Sequence, residues 1–210
     1  MTEEGLLLAT TNQGKTKELK ARLGSLPIAI YSLREMHITQ LFPEKGKTFL
    51  ENARGKSLYY SHQAKALTLA EDSGIEIEYL NGAPGVYSSR FAGPNATDEE
   101  NLQKVLRLLD GIPPEKRKAR FVSCMVLSLK GKIIKVIQEH AEGLIAFQKK
   151  GNSGFGYDPI FYYPPLRRTF AELSSDQKNA VSHRGRALDK MHTFLLSYLS
   201  LQNSRKGEGG

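Results

Sequence analysis

A single cysteine stands in a chain of 210 residues, so a disulfide framework within the chain is excluded. Cys124 lies inside the apolar run 121–129 and reads as a buried core thiol. Long hydrophobic runs are missing too: none approaches the roughly 20 residues that a membrane-spanning helix needs. The N-terminus, with Glu3 and Glu4 ahead of a short apolar stretch, lacks the basic start of a signal peptide. A cytoplasmic protein with no membrane partner is expected. There is no internal repeat, no linker-like stretch, and no extended basic arm or aromatic-studded motif for nucleic acid.

What is present is ordinary globular composition, 40% hydrophobic and 25% charged, enough to bury one sizeable core. The net charge of +8, from 30 Lys+Arg against 22 Asp+Glu, attracts polyanions in general without saying which. The basic residues are spread along the chain, with only short clusters such as Lys116-Arg117-Lys118. The expectation is no nucleic-acid partner and a small, highly charged ligand.

Along the chain, the apolar run 6–8 leads into a loop and then a helix from Lys15, with Leu19 and Leu23 at helical spacing and an end near Gly24. A second helix is expected over 48–66, although Gly55 weakens it. Short strands at 67–70 and 75–79 flank the polar corner Glu71-Asp72-Ser73-Gly74. Thr97 and Glu100 form a capping box for a third helix, which ends at Gly111 and Pro113. Residues 120–129 and 133–138 read as a hairpin and 143–147 as another strand. Ser182 caps a final helix carrying Ala187, Leu188, Met191, Leu195 and Leu199 on one face. The mixture predicts an α/β or α+β fold in one domain over 1–202, with a disordered tail at 203–210.

Four segments carry chemistry. The loop before the first helix presents Gly14 and Lys15, and backbone N–H groups at a helix start favour an anion. It falls one residue short of the P-loop pattern, because Ala9 stands where the first glycine belongs. Glu71 and Asp72 before a glycine turn suit Mg²⁺ through hard oxygens, and an Asx-turn would look the same. In the third segment, 151–161, glycines surround Phe155, Tyr157 and Asp158. Either ring could stack on a base and Asp158 could accept hydrogen bonds, or the aromatics could be core. Last, Lys178 and Ser182-His183-Arg184-Gly185 gather cationic donors at a helix start, as a phosphate site or a charged surface would.

Taken in order, the segments ATTNQGKTKEL, TFLENARGK, AEDSGIEIEYLNGAPGVYSSRFAG, GFGYDPIF and SHRGRAL closely resemble the inosine triphosphate pyrophosphatase family over nearly the whole chain. The resemblance implies a bilobed α/β fold, its long twisted mixed sheet flanked by helices and its active-site cleft between the lobes. It implies a Mg²⁺-dependent homodimer that cleaves deaminated purine nucleoside triphosphates (ITP, dITP, XTP) to the monophosphate and pyrophosphate. Residue by residue, Thr10, Thr11, Asn12, Gln13, Gly14 and Lys15 match the triphosphate loop and Lys56 a second phosphate lysine. Glu44 matches a metal-ligating glutamate, despite an unexpected Lys45 beside it, and Asp72 the metal ligand and proton acceptor, with Ser73 adjacent. Phe155, Gly156, Tyr157 and Asp158 match the base-recognition loop, and Lys178, His183 and Arg184 the set closing around base and phosphates.

Overall fold

The computed structural model describes residues 5–207; the N-terminal acids Glu3 and Glu4 and the last residues of the expected tail, 208–210, lie outside them. The chain opens with β1 (Gly5–Leu8), α1 (Gln13–Leu23), β2 (Ala29–Ser32), α2 (Phe49–Ala64) and β3 (Leu67–Ile77). Then follow α3 (Asp98–Leu108), β4 (Lys118–Leu129), β5 (Lys132–Ile145), β6 (Phe161–Tyr163) and β7 (Arg168–Thr169). Two helices close it, α4 (Ser175–Val181) and α5 (His183–Gly207). The sheet has seven strands in the order β2-β1-β3-β4-β5-β6-β7, parallel through β2, β1 and β3 and antiparallel beyond. No helix among the described residues is long and apolar enough to cross a membrane.

Three elements differ from the sequence expectation. The polar corner is not a corner: Glu71, Asp72, Ser73 and Gly74 lie in the middle of β3 and pair in register with Met125, Cys124, Ser123 and Val122 of β4. Buried opposite charges hold them there, which overrides their poor strand propensity. The strand expected over 143–147 is the end of β5, which runs unbroken through the polar stretch 139–142. Ala141 is buried between exposed His140 and Glu142, the period of two that a half-covered strand allows. Finally, α5 continues to Gly207, past Asn203 where the tail was expected to begin. The short strands β2, β6 and β7 and the helix α4 have no counterpart in the sequence reading.

The helix caps follow from local chemistry. Asn12 Oδ1 accepts from Lys15 N at 2.9 Å, Thr48 Oγ1 from Glu51 N at 3.1 Å, and Thr97 with Glu100 forms the capping box. Gly55 in α2 is explained by packing, because a Cβ there would collide with the ring of Phe42. The core is divided. Leu6, Leu8, Leu19, Leu69, Met125, Leu188 and Met191 join β1, β3 and β4 to α1 and α5. Ile75, Ile77, Leu102, Val105, Phe121, Phe161 and Phe170 form a second body against α3 and β6. Small clusters, Leu7 with Tyr60 and Phe49 with Cys124, seat α2 on the other sheet face. The long strands β3, β4 and β5 span both bodies, and β1 accompanies β3 only as far as Leu69. Beyond Leu69 that edge of β3 is uncovered, and a cleft opens.

Candidate active site

The cleft has a volume of about 670 Å³ and its floor is the uncovered part of β3. Successive strand residues point to opposite faces. Glu71 and Ser73 therefore turn toward α5, where Arg184 reaches both, while Asp72 turns toward Asn52 of α2. The two adjacent carboxylates thus serve different sides and do not form one chelate, contrary to the sequence reading of the segment.

Glu71 is buried and fully partnered. It accepts from Arg184 Nε at 2.9 and 3.1 Å and from Ser123 Oγ at 2.9 Å, with Lys15 Nζ 3.5 Å away. Burial alone would raise its pKa, but Arg184 and Lys15 outweigh it and hold the carboxyl well below the usual range. Arg184 also donates from Nη1 to Glu18 at 2.8 Å and from Nη2 to Ser73 Oγ at 2.9 Å. Burial pushes the Lys15 ammonium below its ordinary value, and Glu71 only partly offsets this.

On the α2 side, Asp72 Oδ2 accepts from Asn52 Nδ2 at 3.0 Å, and Asn52 Oδ1 accepts from Gly46 N at 2.8 Å. Asn52 therefore ties Asp72 to the loop that carries Glu44. Lys56 Nζ lies 2.6 Å from Glu44 Oε1 and 3.6 Å from Asp72 Oδ1, and donates to the Glu71 carbonyl at 2.8 Å. Burial raises the Asp72 pKa above the ordinary aspartate value, and Lys56 and Lys15 do not fully counter it. Glu44 goes the other way: burial would raise it, but Lys56 brings it below. Two carboxylates converging on one ammonium are a hard-oxygen set that also suits a divalent cation. Among the described residues no three His, Cys, Asp or Glu gather as a metal centre, so such a cation would complete its shell with water and ligand oxygens.

The wall above is the loop of residues 9–12. Ala9 is buried against Leu33, Tyr60 and Ala70, and its N–H donates to Leu69 O at 2.8 Å, so it closes β1 rather than opening a glycine turn. Thr10 Oγ1 accepts from Asn12 N at 3.2 Å. Thr11, Asn12 and Gln13 are exposed, and the first turn of α1 carries no acidic side chain, which leaves the positive end of its dipole to a ligand anion.

Opposite stands the 154–158 loop. Lys178 Nζ lies 2.6 Å from Asp158 Oδ2, which also accepts from Phe155 N at 2.9 Å. Asp158 is therefore spent on holding its own loop; burial keeps its pKa raised despite Lys178. Gly156 adopts φ +62°, and its N–H donates to Asp98 at 2.7 Å. Tyr157 is core, its hydroxyl donating to Ser88 O at 2.7 Å, so Phe155 is the ring left half-exposed. Lys178 Nζ and the Arg184 guanidinium lie 5.1 and 5.3 Å from its centroid. His183 stacks on Phe121 at 4.7 Å, and burial drives its imidazole pKa well below ordinary, so the ring is neutral. Its Nδ1 is buried without a hydrogen-bond partner among the described residues.

All the residues singled out from sequence thus fall in or beside one cleft, and the Ham1 family's sequence pattern matches residues 6–194 of the chain. The chain belongs to the Ham1 family. It is 41% identical over 194 residues to a dITP/XTP pyrophosphatase of Thermoanaerobacter pseudethanolicus, covering 92% of this chain and 98% of that one. Against the dITP/XTP pyrophosphatase of Bacillus subtilis it is 43% identical over 189 residues, covering 90% and 96%. A solved HAM1 protein from Coxiella burnetii superposes with a TM-score of 0.83 at 41% identity, covering 92% of this chain and 99% of that one. The Staphylococcus aureus Ham1 protein gives 0.83 at 37%, covering 93% and 100%.

Two residues of this Ham1 chain escaped the sequence reading. Glu18 joins Arg184 and Lys178, with its Oε1 3.3 Å from Lys178 Nζ, and so links α1 to α4 and α5. Its only signal was its place three residues after Lys15 on one helix face. Asn52, 1% exposed, was signalled by a polar residue on the inward face of α2, one turn before Lys56.

Proposed function

We propose that the chain is a nucleoside triphosphate pyrophosphatase that removes dITP, XTP and ITP from the nucleotide pool as monophosphate and pyrophosphate. The observation that carries this reading is the cleft itself. It holds a phosphate-type helix start, a buried aspartate of raised pKa and the half-exposed Phe155 ring, in a chain more than 40% identical to proteins named for that activity.

The base stacks on Phe155 near the cations Lys178 and Arg184, and the triphosphate runs toward the N-terminus of α1 and Lys15 and Lys56. Glu44 and Asp72 would hold Mg²⁺, which when bound neutralises phosphate charge and acidifies water. Asp72 accepts the proton of the water that attacks the α-phosphorus in line, and pyrophosphate leaves. Its raised pKa makes it a stronger base than an exposed aspartate. Glu71, held far below the usual range, keeps its charge throughout and fixes Arg184.

The Phe155 and Gly156 N–H groups already donate to Asp158 and Asp98, so selection of a 6-keto purine falls to the remaining N–H groups of the 154–158 loop and to the unpartnered ring nitrogen of His183 in its N–H form. A 6-amino group would set donor against donor, and unpaired groups in a buried polar site are worth factors of about 10⁴. Incubation with dITP, XTP, ATP and GTP plus Mg²⁺, with pyrophosphate and orthophosphate assayed separately, tests the reading. Pyrophosphate from dITP and XTP is expected; orthophosphate as direct product, or equal rates on ATP and dITP, overturns it.

A further inference from the structure

The cations deep in the cleft are already engaged. Lys15, Lys56, Lys178 and Arg184 form a closed set of ion pairs with Glu18, Glu44, Glu71, Asp72 and Asp158. Four cations face five carboxylates, so the set by itself carries no positive surplus for a triphosphate of charge about −4. Each cation must also loosen a carboxylate before it can meet phosphate fully.

Arg90 is different. It ends the 3₁₀ segment Gly85–Arg90, is half-buried and lines the same cleft. Among the described residues its guanidinium makes no hydrogen bond and no ion pair, and it rests on the ring of Tyr87, 5.2 Å from the centroid. A planar fork of donors supported on an aromatic face and free of carboxylate is suited to bidentate contact with phosphate oxygens. Its segment is pinned to β3 three residues beyond Asp72, where Ile75 N donates to Ser88 Oγ at 3.0 Å, and its charge acts on Glu44, the carboxylate paired with Lys56.

We propose that Arg90 binds the terminal phosphates of the substrate, the part released as pyrophosphate, and so reads the length of the phosphate chain. This rests on the pyrophosphatase reading above and adds to it a residue for chain-length specificity. A contact to phosphates that leave together is made about equally in ground and transition states, so its loss raises KM rather than lowering kcat.

The test compares wild type with Arg90→Met and Arg90→Lys, with Mg²⁺ present. Arg90→Met should raise the KM for dITP about 10- to 100-fold, the size of a lost charge-assisted hydrogen bond, with kcat within about threefold. Inhibition by dIMP, which lacks the terminal phosphates, should be unchanged, and Arg90→Lys should recover part of the loss. An unchanged KM, or an equal weakening of dITP and dIMP, overturns the proposal. Calorimetric titration with inorganic tripolyphosphate runs in parallel and needs no turnover. Weaker binding by Arg90→Met is expected there, and equal affinity overturns the role of Arg90 whether or not dITP is hydrolysed. Absence of dITP hydrolysis by wild type would instead overturn the pyrophosphatase reading alone.

Discussion

Glu71 and Asp72 are adjacent in the chain and opposite in electrostatics. Glu71 is surrounded by Arg184, Lys15 and Ser123 and stays ionised, whereas burial leaves Asp72 with a raised pKa beside Asn52 and Lys56. A general base needs appetite for a proton, which the raised pKa of Asp72 supplies and the lowered pKa of Glu71 does not. Asp72→Asn should preserve the shape and the Asn52 neighbourhood while removing the proton acceptor. The expected result is a fall in kcat of about 10³-fold, within the usual range for a lost acid–base group, with KM for dITP changed only a few-fold. Steady-state kinetics on dITP check this, and near-normal kcat would remove Asp72 from the chemistry.

At the scale of elements, the site depends on how α4 and α5 meet. Ser182 Oγ accepts from Gly185 N at 3.0 Å, capping α5 and fixing the turn that carries His183 and Arg184 into the cleft. Gly185 is required there by space, because a Cβ would lie inside contact distance of the Asn179 carbonyl. Gly185→Ala must therefore push α4 from α5, at a cost of about 3 kcal/mol, the upper end for overpacking. For a chain of this size that lowers Tm by roughly 6–12 °C, readable by calorimetry, and an unchanged Tm would mean that the junction yields freely. The sequence carried α1, α2, α3 and α5, since caps and apolar spacing are local signals, with Asn12, Thr48, Thr97 and Ser182 sitting where these helices begin, but the seven-residue α4 was too short to show a period. It carried the strands poorly wherever polar residues are held by distant partners. Glu71 and Ser73 look like a turn until Arg184, more than a hundred residues later, is brought against them. The Gly14-Lys15 loop, the 151–161 segment and the 182–185 turn carried local signals and Glu44 and Lys56 came only from the family resemblance, whereas Glu18 and Asn52 act through tertiary contacts that local spacing does not announce.

In the molecule as a whole, two hydrophobic bodies share the strands β3, β4 and β5, and the cleft takes groups from both. Lys15 stands on α1, whose Leu19 belongs to the body of Leu8 and Leu69, and Lys56 on α2, seated by the Tyr60 and Phe49 clusters, while the Phe155 loop is anchored by Tyr157 in the body of Phe121 and Phe161. A nucleotide spanning the cleft adds a cross-link between the bodies that neither core supplies. A non-hydrolysable dITP analogue at about 100 times its Kd should stabilise the fold by roughly 2.7 kcal/mol, raising Tm by about 5–10 °C. The ion-pair set gives this rise a further condition. With four cations committed to five carboxylates, a triphosphate meets too little positive charge unless a divalent cation accompanies it. Thermal melts with the analogue should therefore show the full shift in Mg²⁺ and less than about a third of it in EDTA. An undiminished shift in EDTA would mean that Lys15, Lys56, Arg90 and Arg184 suffice alone, and that Glu44 and Asp72 do not gather a metal for binding.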